Sequence, residues 1–312
     1  MQNSLVYASL TAGVGTNDLS PHNSLRHHTI YLLLLWLSAL SLGFGLTFFY
    51  SQATFARALT AAPGTVIFVD HAAAGPTHDG TSWATAYTTL QDALAAATAG
   101  DEIWVATGVY YPDEGTGTTA DDRQSTFLLK AGVAVYGGFA GTEATREERD
   151  WEVNLTVLSG DLTQDDPDTD ANGIVTVPTS IVAPNAYHVV TANDLDATAT
   201  FDGFIITGGY AYGGYESPCG PVCGGGLYID GGSPSLYNLA VRGNAASSHG
   251  GGVVIVDSTV SLQNSYVQGN RAGGDGGGIY QRSSSLAATN VVFSGNRSNN
   301  IGGALTSYLA TT

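Results

Sequence analysis

The stretch GGGLYIDGGSPSLYNLAVRGNAASSH (224–249) is followed by GGGVVIVDSTVSLQNSYVQGNRAGGD (250–275) and GGGIYQRSSSLAATNVVFSGNRSNNI (276–301), and a fourth copy opens with GGALTSYL (302–309). The period is 26: Asn238, Asn264 and Asn290 keep it, as do Asn244, Asn270 and Asn296. Apolar columns follow the same register, with Leu227, Val253, Ile279 and Leu305 in one and Val241, Val267 and Phe293 in another. A unit this short cannot bury its own hydrophobic face, whereas units stacked as turns of a solenoid share a continuous core. The copies carry short β-rich runs such as Ser258 to Leu262, broken by Gly and Asn, in place of a 3.6-residue apolar period. Strands joined by tight corners are expected, one copy to a coil of a parallel β-helix. Both asparagine columns are read as corners and as a structural ladder, because Asn enters left-handed backbone cheaply and stacked amides can hydrogen-bond between coils.

Working upstream, Phe201 to Gly209 reads as one more coil, with Gly209 at the position of Asn244. That interval exceeds the period by nine residues, and the excess holds Cys219 and Cys223, the chain's two cysteines. In an exported chain so close a pair points to a small-loop disulfide. Thr65 to Asp70 reads as a strand, and Leu90, Ala93, Leu94 and Ala97 stand at helical spacing. A capping box of Thr88 and Gln91 and a left-handed stop at Gly100 are expected to bound that helix, which would cover the open first coil. Strand candidates then recur irregularly at Glu102 to Ala106, Phe127 to Leu129, Val133 to Tyr136, Val157 to Ser159 and Tyr187 to Thr191. They read as looped early coils, with a separate small β-domain as the alternative. The expected layout is an export segment with a polar leader over 1–62, a cap over 63–100, early coils over 101–209 and regular repeats over 210–312.

The formal net charge is −17 and Lys130 is the only lysine, which excludes a phosphate backbone as partner. Residues 30–49 form an uncharged apolar run behind Arg26, His27 and His28, long enough to contact or span a membrane. Two readings stand, an uncleaved anchor and a long signal peptide cut near Ala56-Arg57-Ala58. Either places the chain outside the cytoplasm. The fourth repeat breaks off before the Asn due near position 322, so further coils, or a C-terminal anchor in a longer protein, are expected to follow.

Gly302-Gly303-Ala304-Leu305 and Phe293-Ser294-Gly295-Asn296 resemble the paired motifs of polymorphic outer membrane protein repeats. Phe68-Val69-Asp70, Asp79-Gly80-Thr81-Ser82-Trp83-Ala84 and Val135-Tyr136-Gly137-Gly138-Phe139 look like the start of bacterial secreted pectin-lyase-like proteins. The resemblance covers about residues 63 to 308. It implies a right-handed parallel β-helix, secreted or displayed at the cell surface or outer membrane. Such folds host lyases, hydrolases and adhesins alike, so the fold assigns no chemistry.

The densest carboxylate cluster is Asp161, Asp165, Asp166, Asp168 and Asp170, followed by Asn172. Asp168-Thr169-Asp170-Ala171-Asn172-Gly173 matches the first half of an EF-hand-type loop, but Thr179 stands where a bidentate Glu belongs. A calcium site drawing on Asp161, Asp165, Asp168, Asp170 and Asn172 is one expectation and a plain solvated loop the other. No arginine stands beside a calcium-type cluster as a lyase needs, and the tandem-Asp and Gly-His-Gly elements of polygalacturonases are incomplete. A structural or adhesive role, binding polysaccharide or a cell-surface protein, is the expected function. A carbohydrate-active lyase or hydrolase is the alternative. Tyr210, Tyr212 and Tyr215 are candidate contact aromatics.

Overall fold

The computed structural model describes residues 64–213 and 220–309, all within one compact unit, Ala58–Thr312. The segment 30–49 and Cys219 lie outside the described residues. Among the described residues the chain is mostly β, with one α-helix, and no helix there is long and apolar enough to cross a membrane. All pairings between its strands are parallel and fall into a 16-stranded and a 4-stranded sheet.

Strands stack in chain order. One series runs Val66–Val69, Glu102–Ala106, Ala134–Phe139 and Thr200–Asp202 and enters the repeats at Ser235–Tyr237. A second runs Phe127–Leu128, Val190–Leu195, Leu227–Gly232, Val253–Gln268, Ile279–Arg282 and Leu305–Tyr308. The early strands thus belong to the same sheet as the repeats. Leu227, Val253, Ile279 and Leu305 pair in register, and so do Val241, Val267 and Phe293. Tyr210 pairs with Ala245, as the alignment of Gly209 with Asn244 requires.

The sheet curls because the backbone turns at left-handed residues. The strand Val253–Gln268 joins three series by bending at Asp257 and Asn264, with φ of 47° and 50°. Asn238 and Asn290 adopt the same conformation, at 51° and 53°. The other asparagine column behaves differently from expectation. At Asn244, Asn270 and Asn296 the left-handed residue is the preceding glycine, Gly243, Gly269 or Gly295. Freed from the turn, these asparagines point inward and make the amide ladder. Asn244 Nδ2 donates to Asn270 Oδ1 and Asn270 Nδ2 to Asn296 Oδ1, each at 3.0 Å. A further corner unites Asp194, Gly231, Asp257 and Ser283, all left-handed though unlike in sequence.

The helix Leu90–Ala96 buries Leu90, Ala93 and Leu94 against Val66–Val69, Glu102–Ala106 and Phe127–Leu128, two of which begin series of stacked strands. Its N-cap is Thr89, whose hydroxyl accepts from Asp92 N, not the expected Thr88 with Gln91. Gln91 is diverted to the carbonyls of Pro112 and Thr126. Nor does Gly100 end the helix. Ala97 leaves it in extended geometry, and Lys130 Nζ takes up the carbonyls of Leu94 and Ala97 at 2.9 and 2.5 Å. A cation on those terminal carbonyls also opposes the helix dipole.

Asp101 ties this cap to the first strand. Its carboxylate accepts from N and Oγ1 of Thr98, both at 2.8 Å, and from N and Oγ1 of Thr65 at 2.8 and 2.9 Å. These bonds, the Thr98 N–H first, hold its pKa down at about 2, below the ordinary 3.8. A depressed folded pKa contributes stability that is complete above the unfolded value and is lost as pH falls through the folded one. Asp101→Asn should therefore cost roughly 1.5–3 kcal/mol at neutral pH. The gap to the wild type should close between about pH 4 and pH 2 in thermal melts. A gap that stays constant with pH would contradict this role for the carboxylate.

Candidate functional site

Inward Ile206, Val241 and Val267 are buried, so the alternation of a strand turns their predecessors outward. Ile205, Ala240, Tyr266 and Val292 stand in register there, one to each stacked strand, with Tyr266 and Val292 48% and 44% exposed. Beside them run Asn238, Asn264 and Asn290, their left-handed geometry lifting the side chains out of the core. Asn290 Nδ2 donates to Asn264 Oδ1 at 3.0 Å, and Asn238 Nδ2 to Asp202 Oδ1 at 2.7 Å. Trp151, Glu152 and Leu155 wall this strip, making a groove of about 620 Å³.

The wall is held from behind. Asp150 N donates to the Gly138 carbonyl at 2.8 Å. Arg149, itself largely buried, pairs with Asp202 at 2.6 Å, donates to the Gly137 carbonyl at 2.9 Å and lies 5.1 Å from the Trp151 ring centre. The indole therefore presents a fixed, partly exposed face to the groove.

The carboxylate cluster divides in two. Oxygens of Asp161, Asp165 and Asp166 lie within 4.8 Å of one another, with Asp161 and Asp166 buried and Asp165 exposed. Asp161 accepts from the N–H groups of Asp165 and Asp166 at 3.2 and 3.0 Å. Asp166 accepts from Val182 N at 2.7 Å and from Asn185 Nδ2 at 2.9 Å. Burial raises both carboxyls above their ordinary range, Asp166 to about 6. Asp168 and Asp170 stay outside the cluster. Thr169 and Val175 form an antiparallel bridge, and Asp170 Oδ1 accepts from Asn172 N and Ile174 N at 2.9 and 3.2 Å. Of the EF-hand-like half-motif, Asp170 thus spends one carboxylate oxygen on a local turn, and Asn172 lines a separate hollow with His71 and Gly108.

Cys223 is wholly buried and disulfide-bonded, and the chain's only other cysteine is Cys219. Tyr210 and Tyr212 stack on each other at 4.1 Å, with the Arg123 guanidinium 5.7 Å from the Tyr210 ring; Tyr215 lies outside the described residues. The first two stack on each other and contact Arg123, whereas the exposed aromatics of the groove are Trp151 and Tyr266. Tyr266 was detectable as the outward partner of Val267, but no periodic signal marks Trp151.

No family model, curated protein or solved structure matches this chain. The functional reading therefore rests on the geometry of the groove and the acidic loop.

Proposed function

We propose that the chain is an exported right-handed parallel β-helix, akin to the polymorphic outer membrane protein and pectin-lyase-like proteins, that binds an extended glycan in an adhesive or structural role. Chain-order stacking of parallel strands, at a 26-residue interval in the repeats, supports the helix. Parallel crossovers are right-handed in nearly all known cases. The apolar segment 30–49 supports export to the cell surface or beyond.

The observation that carries the binding role is the groove bounded by Trp151 and Tyr266. Aromatic faces pack on the apolar C–H faces of sugars, while amides such as Asn264 exchange hydrogen bonds with hydroxyls. Coils repeat about every 4.8 Å. That is close to the length of one sugar ring in an extended chain, so a glycan running along the stack meets an asparagine amide, Asn238, Asn264 or Asn290, at each ring. Glu152 is the one carboxylate lining the groove, whereas glycoside hydrolysis uses two that flank the scissile bond. This favours binding over cleavage.

Titration of the purified protein with neutral β-linked oligosaccharides tests the reading. Trp151→Ala and Tyr266→Ala should each weaken binding tenfold or more, roughly 1.4 kcal/mol, with little change in melting temperature. Affinity indifferent to both substitutions would refute the groove as the binding site.

A further inference from the structure

Asp161, Asp165 and Asp166 bring three carboxylates within 4.8 Å, and the ion pairs among the described residues give them no basic partner. Those pairs join Arg146 to Glu102 and Glu147, Arg149 to Asp202 and His249 to Asp275. Arg123, which reaches the backbone of Asn185, is taken up by the carbonyls of Asn185, Tyr210 and Tyr212. Clustered like charges in a partly buried loop call for a counter-charge that the side chains here do not supply.

A second observation points the same way. Asn185 is wholly buried and extends its amide onto the cluster, Nδ2 donating to Asp166 Oδ2 at 2.9 Å and to the Gly208 carbonyl at 2.7 Å. Its Oδ1 has no hydrogen-bond partner. The amide cannot flip to cure this, because its oxygen would then face two acceptors. The side chain that reaches the carboxylate cluster through its Nδ2 thus also carries a buried amide oxygen without a donor.

We propose that this loop binds a calcium ion through the carboxylates of Asp161, Asp165 and Asp166, with Asn185 Oδ1 as the neutral oxygen of the set. The donors are all oxygen, which selects a hard cation over zinc or copper. Calcium places its ligands 2.3–2.6 Å away, so donors on opposite sides stand up to about 5 Å apart, and the cluster falls within that span. The smaller magnesium ion demands a tighter octahedron. Asp161 and Asn185 already meet in an antiparallel bridge at the two ends of the long excursion between the strands Thr156–Ser159 and Val190–Leu195. The ion fastens those ends and so fixes the excursion to the sheet.

Equilibrium dialysis of the full chain against calcium, paired with melting curves in calcium and in chelator, tests the assignment. One calcium should bind and raise the melting temperature, since it binds only the folded state. Asp165→Asn, at the exposed member, should weaken binding tenfold or more and leave the melting temperature in chelator unchanged. Asp168→Asn, outside the cluster, should bind as the wild type does. The proposal is overturned if no calcium binds at millimolar concentration, if Asp165→Asn binds as tightly as wild type, or if Asp168→Asn removes binding. Preference for magnesium or manganese over calcium in the same dialysis would overturn the choice of ion.

Discussion

Asn270→Ala should lower the unfolding free energy by roughly 2–4 kcal/mol, whereas Asn264→Gly, six residues earlier in the same repeat, should be close to neutral. The two asparagines do different work. Asn270 is 1% exposed, and its Oδ1 accepts from both N and Nδ2 of Asn244 while its Nδ2 donates to the carbonyl of Val241 and to Asn296 Oδ1. Alanine removes all four bonds, leaves the Asn244 N–H buried without an acceptor and opens a void one amide in size. Each such orphan costs about 1–3 kcal/mol, and the void adds to it. Asn264 earns its place through φ of 50°, which glycine adopts without strain. Urea unfolding of both variants gives the comparison. Equal losses at the two positions would mean that the inward ladder is not what holds the coils in register.

That contrast explains what the sequence made legible. Inward positions repeat their residue type because one geometry recurs in every coil: Val241, Val267 and Phe293 fill the same layer, and Asn244, Asn270 and Asn296 hand on the same bonds. A strict 26-residue period was therefore readable by eye. The corner at Asp194, Gly231, Asp257 and Ser283 repeats geometry without repeating identity, since several residue types tolerate left-handed backbone at a solvated bend. Nothing in the one-letter string aligns them. The early coils differ from one another in loop length, so their strands were found as apolar runs while their partners were not. The acidic loop was legible in part. Asp161 and Asp165 were named for the site, but the local motif added Asp168, Asp170 and Asn172 and left out Asp166, which a turn of the chain brings beside the first two. Trp151 owes its place in the groove to Arg149 and Gly138, contacts that depend on the turn of a loop.

Gly251→Ala should be among the most damaging single-methyl additions to this chain, costing about 3 kcal/mol or more. Gly251 is not left-handed, so its constraint is space. A Cβ there would lie 2.3 Å from the carbonyl carbon and oxygen of Arg271 and 2.6 Å from its nitrogen, all main-chain atoms near the other end of the same repeat. Main chain cannot swing aside as a side chain does, and the same close approach recurs one coil on, where a Cβ on Gly277 would lie 2.4 Å from the Arg297 carbonyl. Relief at Gly251 would need the two main-chain segments to move apart, which strains the bonds from Gly251 N to the Gly276 carbonyl and from Arg271 N to the Asn244 carbonyl. Gly269 is the internal control: its φ is 62°, but nothing lies within 4 Å of a Cβ placed there. Gly269→Ala should therefore lose only the torsional term, about 1–2 kcal/mol. Chemical denaturation of the two variants side by side separates contact from torsion. If Gly251→Ala proves no worse than Gly269→Ala, the main chain at Gly251 is not packed against that of Arg271.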